Sequence, residues 1–123
     1  MTLLEPCIID LAIEPQASWH RVCQVAKLHP DRGVCALVDG RQVAVFRTSH
    51  GELFAVANLD PLSGTEVMSR GIVGSIGGRP TVSSPMYKHR FDLQTGECLD
   101  DPGERLDTFS VRDVDDVIEI CFP

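Results

Sequence analysis

Val34-Cys35-Ala36-Leu37-Val38-Asp39-Gly40-Arg41-Gln42-Val43-Ala44-Val45-Phe46-Arg47-Thr48-Ser49-His50-Gly51-Glu52-Leu53-Phe54-Ala55-Val56-Ala57 is the stretch that decides the fold class. Three runs rich in apolar and β-branched residues are separated by short turn signals. Asp39-Gly40 is a strong hairpin signal, because a two-residue type I′ turn needs positive φ at both central positions. Ser49-His50-Gly51-Glu52 reads as the next turn. The stretch is therefore a meander of antiparallel strands. Just upstream, Trp19-His20-Arg21-Val22-Cys23 alternates in polarity as a half-buried strand does, so the meander begins near residue 19.

Residues 58–90 change character. Pro61, Gly64, Gly71, Gly74, Gly77, Gly78, Pro80 and Pro85 mark tight turns, with short strands expected at Ile72–Ile76 and Thr81–Ser83. Phe91-Asp92-Leu93 follows, then a Gln94-Thr95-Gly96 turn, Cys98-Leu99, and a turn at Asp100-Asp101-Pro102-Gly103. Two last strands are expected near Thr108–Arg112 and Val117–Phe122, with an acidic turn at Asp113 to Asp116 between them. No window carries a long helical period. The chain is read as all-β, an antiparallel β-sandwich or small barrel. Residues 1–17, with Pro6 and Pro15, show no sustained period and are read as an N-terminal arm.

The chain has 123 residues, which favours one domain. No apolar run approaches the ~20 residues that cross a bilayer as a helix. Residues 1–10 carry Glu5 and Asp10 and lack the basic start of a secretory signal, which places the protein in the cytoplasm by expectation. A net charge of −7 argues against nucleic acid and anionic membranes as partners. The five cysteines, Cys7, Cys23, Cys35, Cys98 and Cys121, are scattered with no C-x-x-C pair, and are read as small buried hydrophobes.

The chemistry-bearing segments are two loops about twenty residues apart. One is Asn58-Leu59-Asp60-Pro61-Leu62-Ser63-Gly64. The other is Ser84-Pro85-Met86-Tyr87-Lys88-His89-Arg90, running on into Phe91-Asp92-Leu93-Gln94-Thr95-Gly96. Over roughly residues 19–122 the chain resembles the Rieske iron–sulfur family, which carries C-x-H in its first loop, C-x-x-H in its second, and a similar F-D-L-x-T-G after it. The resemblance implies an antiparallel β-sandwich base, residues 18–57 and 91–123, with an inserted cluster-binding lobe at 58–90. The ligands are changed: Asp60 and Ser84 stand at the thiolate positions, Leu62 and Tyr87 at the imidazole positions. A [2Fe–2S] centre of this type needs two thiolates on one iron and two imidazoles on the other, so no cluster and no metal is expected in this chain.

A closer resemblance rests on Gly33-Val34-Cys35-Ala36-Leu37, Gln42 to Arg47, Asn58-Leu59-Asp60-Pro61, Met68 to Val73, Ser83-Ser84-Pro85 and Cys98-Leu99-Asp100-Asp101. These stretches are similar to the family of small subunits of assimilatory NAD(P)H-dependent nitrite reductases. That resemblance implies a large-subunit partner carrying FAD, a [4Fe–4S] cluster and siroheme, which reduces nitrite to ammonium. It implies no catalytic residue here. No dinucleotide fingerprint competes, since Gly74-Ser75-Ile76-Gly77-Gly78 has the wrong spacing and no following helix. The alternative is a stand-alone binding or regulatory module that kept the fold and lost the redox role.

Asp60, Ser84 and Tyr87 are expected to converge, either as an oxygen site for a hard cation or small anion, or as a polar network tying the two loops together. Three oxygens without a second carboxylate make a poor cation cage, which favours the network. Leu62 is expected to fill the space of a lost imidazole. Lys88, His89 and Arg90, with Arg70, form the basic run and are candidates for docking the partner. His20, His29 and His50 share no metal-ligand spacing with a cysteine or carboxylate, and Trp19 is read as a core or interface anchor.

Overall fold

The computed structural model describes residues 18–122. Strands β1 (Ser18–Gln24), β2 (Gly33–Val38), β3 (Arg41–Arg47) and β4 (Leu53–Ala57) lead into the lobe strands β5 (Ile72–Ile76), β6 (Arg79–Ser83) and β7 (Arg90–Asp92). The chain returns through β8 (Thr108–Val114) and β9 (Val117–Phe122). Among the described residues these form a six-stranded sheet in the order β1-β9-β8-β4-β3-β2 and a three-stranded sheet in the order β5-β6-β7. Every strand pairing is antiparallel. Residues 1–17, which hold the expected arm and Cys7, lie outside the described part.

The hairpins follow their turn chemistry. Asp39 and Gly40 have φ of 49° and 79°, both in the left-handed region a type I′ turn requires. The acidic turn between β8 and β9 narrows to Asp115-Asp116, with φ of 52° and 66°. Aspartate occupies that region more readily than most residues, because its short side chain bonds locally.

Strand β3 explains why the meander reads as an unbroken apolar run rather than an alternating one. Val43, Ala44, Val45 and Phe46 are all fully buried, because the strand has a core on each face. Val43 and Val45 join Ala36, Val38, Ala55, Ile118 and Ile120 inside the curled large sheet. Ala44 and Phe46 point the other way, against Met68, Val82, Phe91, Leu93, Cys98 and Leu106. The second core is what fixes the lobe on the base.

The lobe differs in extent from the expected 58–90. Arg90–Asp92 is the third strand of the small sheet, and Leu93, Cys98 and Leu106 belong to the lobe-side core. The chain re-enters the large sheet only at Thr108. A Phe91-Asp92-Leu93 strand is equally legible in sequence whichever sheet it joins; register with β6, through Val82↔Phe91 and Ser83↔Arg90, puts it in the small sheet.

Candidate functional site

The two loops meet at one end of the small sheet, and each is built by the same three hydrogen bonds. In the first, Leu62 N–H donates to Asp60 Oδ1 at 2.9 Å. Gly64 N–H donates to the Asp60 carbonyl, and Asp60 N–H to the Thr65 carbonyl, both at 2.8 Å. In the second, Met86 N–H donates to Ser84 Oγ at 3.2 Å. Lys88 N–H donates to the Ser84 carbonyl at 2.8 Å, and Ser84 N–H to the His89 carbonyl at 2.9 Å.

A third copy follows at the end of β7. Gln94 N–H donates to Asp92 Oδ1 at 2.7 Å, Gly96 N–H to the Asp92 carbonyl at 2.7 Å, and Asp92 N–H to the Glu97 carbonyl at 2.8 Å. The fifth residue of each loop takes a left-handed backbone, with φ of 73° at Gly64, 62° at Lys88 and 84° at Gly96. Glycine adopts that conformation without strain. At Lys88 it costs about 1 kcal/mol, since the Cβ crowds the following carbonyl.

Asp60 and Ser84 are both buried, and Ser84 Oγ donates to Asp60 Oδ2 at 2.5 Å. Burial pushes the Asp60 carboxyl up, but hydrogen bonds from Ser84, Leu62 and Ser63 outweigh it and hold the group below its usual range. Leu62 is half-buried and packs on the lobe-side core, as Phe54 and Val73 also do. Tyr87 does not converge on this pair. It is 59% exposed and lies edge-on to His89, with ring centroids 6.3 Å apart. The expected three-oxygen cluster is thus a two-residue hydrogen bond, because the loop turns the Tyr87 side chain outward.

This donor set does not fit an iron–sulfur centre of the Rieske type. Leu62 has no lone pair to give, Tyr87 points to solvent, and the Asp60 carboxylate and Ser84 hydroxyl satisfy each other. Among the described residues no group of three or more His, Cys, Asp or Glu side chains is placed to hold a metal ion.

The residues of the basic run sit in different surroundings. Arg90 is held internally: its Nε and Nη2 fork onto the two Asp100 oxygens at 3.0 and 2.7 Å, and its N–H donates to Asp100 Oδ2 at 2.8 Å. That fork holds the Asp100 carboxyl down at about 2. His89 is half-buried, and its Nδ1 has no hydrogen-bond partner among the described residues. Arg70 and Lys88 are exposed and make no ion pair among the described residues.

Sequence reasoning missed Asn58 and Asp92. Asn58 is 2% exposed; its Nδ2 donates to Gln42 Oε1 at 2.9 Å, and its Oδ1 accepts from Ser69 N–H at 2.7 Å, pinning the first loop to β3 and to the turn at 68–70. Asp92 is fully buried, and the Arg79 guanidinium lies against its Oδ2. The available signal was spacing: Asp60-Pro61-Leu62-Ser63-Gly64 and Asp92-Leu93-Gln94-Thr95-Gly96 share D-x-x-x-G. Of the cysteines expected to be buried, Cys98 is, Cys23 and Cys121 are half-buried, and Cys35 is exposed on β2, an edge strand of the large sheet, with its Sγ beside Gln42 Oε1 and Asn58 Nδ2. Trp19, 39% exposed, carries the Arg112 guanidinium on its ring face at 3.8 Å.

A curled antiparallel base with an inserted three-stranded lobe, whose two tip loops share one hydrogen-bond scheme, is the Rieske architecture. The chain belongs to the Rieske-like [2Fe–2S] domain family, matched over residues 18–121, and within it to the nitrite reductase small subunits. It is 36% identical to the nitrite reductase (NADH) small subunit of Salmonella typhimurium over 105 residues, covering 85% of this chain and 97% of that one. It superposes with a TM-score of 0.84 and 44% identity on a crystal structure described as an NADH-dependent nitrite reductase small subunit from Mycobacterium tuberculosis, covering 87% of this chain and 96% of that one. It is also 34% identical over 98 residues to part of a nitrite reductase [NAD(P)H] large subunit from Klebsiella oxytoca, covering 80% of this chain and 10% of that one.

Proposed function

We propose that this chain is the non-catalytic small subunit of a cytoplasmic NAD(P)H-dependent nitrite reductase working in nitrate assimilation. The observation that carries the reading is the likeness along 97% of a chain named as such a small subunit. The Klebsiella oxytoca large subunit supports the pairing: there a segment like this one is part of the large chain itself. In this reading the partner supplies FAD, a [4Fe–4S] cluster and siroheme, and reduces nitrite to ammonium.

The chain itself carries no iron–sulfur cluster in this reading. Asp60 and Ser84 occupy each other where two thiolates would be needed, so no electron passes through its loops by a metal. Its contribution is structural. A rigid lobe, fixed to the base by Phe46 and Ala44 and closed at the tip by the Asp60–Ser84 bond, presents a fixed surface to the large subunit. The likenesses to nitrite reductase subunits favour this reading over a stand-alone module with a ligand between the loops. An opening of about 580 Å3 lies elsewhere, between the β3–β4 turn and the β5–β6 hairpin, lined by residues including His50, Glu52, Val73 and Pro80.

The test is affinity purification of the tagged chain from cells grown on nitrate, followed by an absorption spectrum and a nitrite-dependent NAD(P)H oxidation assay. A co-purifying large subunit with siroheme absorption and activity is the expected result. A colourless single chain would overturn the reading.

A further inference from the structure

We infer that the large subunit is bound through the apolar end of the lobe, centred on Met86-Tyr87-Lys88, and that its matching surface is an apolar depression with an acidic rim. The inference rests on the accessory-subunit reading and names the surface that reading needs.

Three observations locate it. The first is where exposed apolar side chains collect. Eight large ones are well exposed among the described residues. Four of them, Leu59, Ile72, Met86 and Tyr87, lie at the end of the lobe where the two loops meet. Register puts Ile72 there, since it pairs with Ser83 immediately before the second loop. Exposures of 44%, 74%, 47% and 59% at these residues are costly to leave wet, and a concentration of this kind marks a protein-binding surface more often than chance scatter does.

The second observation is the backbone of Lys88. Its position is one that glycine fills in the other two copies of the same loop, at Gly64 and Gly96. A residue kept in a strained conformation where glycine fits freely points to a need for its side chain. The third is charge. The chain carries −7, yet at this end Arg70 and Lys88 are exposed and make no ion pair among the described residues, while the nearby Arg90 is neutralised by Asp100. These two cations beside an apolar patch complement an acidic rim, and an aromatic, a methionine and an arginine are the residue types enriched in interface centres. The Asp60–Ser84 bond holds the two loops in one arrangement before binding, which lowers the ordering cost of association.

The test uses the purified large subunit of the same organism, with binding followed by isothermal titration calorimetry against the full-length chain. Met86→Asp is expected to weaken binding about thirtyfold or more. Lys88→Glu is expected to weaken it about tenfold and to reduce its salt sensitivity. Lys88→Gly is the separating variant: the isolated chain should melt at a higher temperature while binding weakens. Val114→Asp, at the β8–β9 turn and so at the opposite end of β8 from the residues that pair with β4, should bind as wild type does. Circular dichroism verifies that each variant folds, and the three loop variants give independent readings if one does not. Wild-type binding left unchanged by all three overturns this surface while the accessory-subunit reading stands. Failure of the wild-type chain to bind overturns both.

Discussion

Ser84→Ala removes one oxygen from the tip of the lobe, and its cost can be worked from the geometry. Ser84 Oγ donates to Asp60 Oδ2 at 2.5 Å and accepts the Met86 N–H at 3.2 Å. Asp60 is fully buried, so no water replaces the lost donor at the surface. A hydrogen bond to a charged group is worth about 1.5–3 kcal/mol, and the freed Met86 N–H adds about 0.5–1 kcal/mol. The expected destabilisation is therefore about 2–4 kcal/mol, a fall in Tm of roughly 10–20 °C for a domain of this size. Urea unfolding followed by tryptophan fluorescence would read it as a lower midpoint with an unchanged slope. The pair should also be strongly coupled: Asp60→Ala with Ser84→Ala should cost about 1.5–3 kcal/mol less than the two single changes summed.

The same pair predicts a pH dependence. The Asp60 carboxyl is held below its usual range by its hydrogen bonds, despite burial. Its stabilising contribution is present above the unfolded carboxyl value, near pH 4, and is lost as the pH falls through the lower folded value. Wild-type stability should drop on acidification below about pH 4, and Ser84→Ala should show a smaller drop. A Ser84→Ala chain within 0.5 kcal/mol of wild type, or with an unaltered acid limb, would refute the account of the loop tie.

Phe46→Ala should cost about 3–5 kcal/mol, because Phe46 is fully buried between base and lobe; calorimetry should still show one transition, since base and lobe share that core. Arg79→Met should cost about 2–4 kcal/mol in urea unfolding, as it strips the buried Asp92 carboxylate of the cation against its Oδ2. The Asp100 carboxyl should titrate at about 2 by carbon NMR. In Arg90→Met the titration should move up toward the ordinary carboxylate value, because the forked hydrogen bonds from Arg90 are the main cause of the depression.

The base was legible because hairpins announce themselves locally. Asp39-Gly40 fixed one turn, and the runs on either side of it matched the observed strands to within a residue. The lobe's end was not legible. A three-residue strand such as Arg90–Asp92 carries no signal for which sheet it joins, and only its pairing with β6 decides. At the loops, residue type was informative for Asp60 and Ser84, whose short polar side chains have few ways to be satisfied when buried. It was uninformative for Tyr87, because an amphipathic ring sits equally well inside or outside. Within the basic run the ion pair of Arg90 was not legible either: Arg90 and Asp100 are ten residues apart, and nothing in the sequence announces their pairing. The repeated loop was visible as D-x-x-x-G at residues 60–64 and 92–96, but its second copy, Ser84 to Lys88, had lost both end residues of that pattern.

The central claim is that this chain completes a nitrite reductase without carrying electrons itself. Its most direct test is to treat the purified chain with an iron chelator, verify by elemental analysis that it holds no iron, and add it to the large subunit while following nitrite-dependent NAD(P)H oxidation. The account predicts that the iron-free chain restores activity as fully as the chain taken directly from cells. Activity that returns only after iron and sulfide are put back into this chain, or that is the same with and without it, would contradict the account.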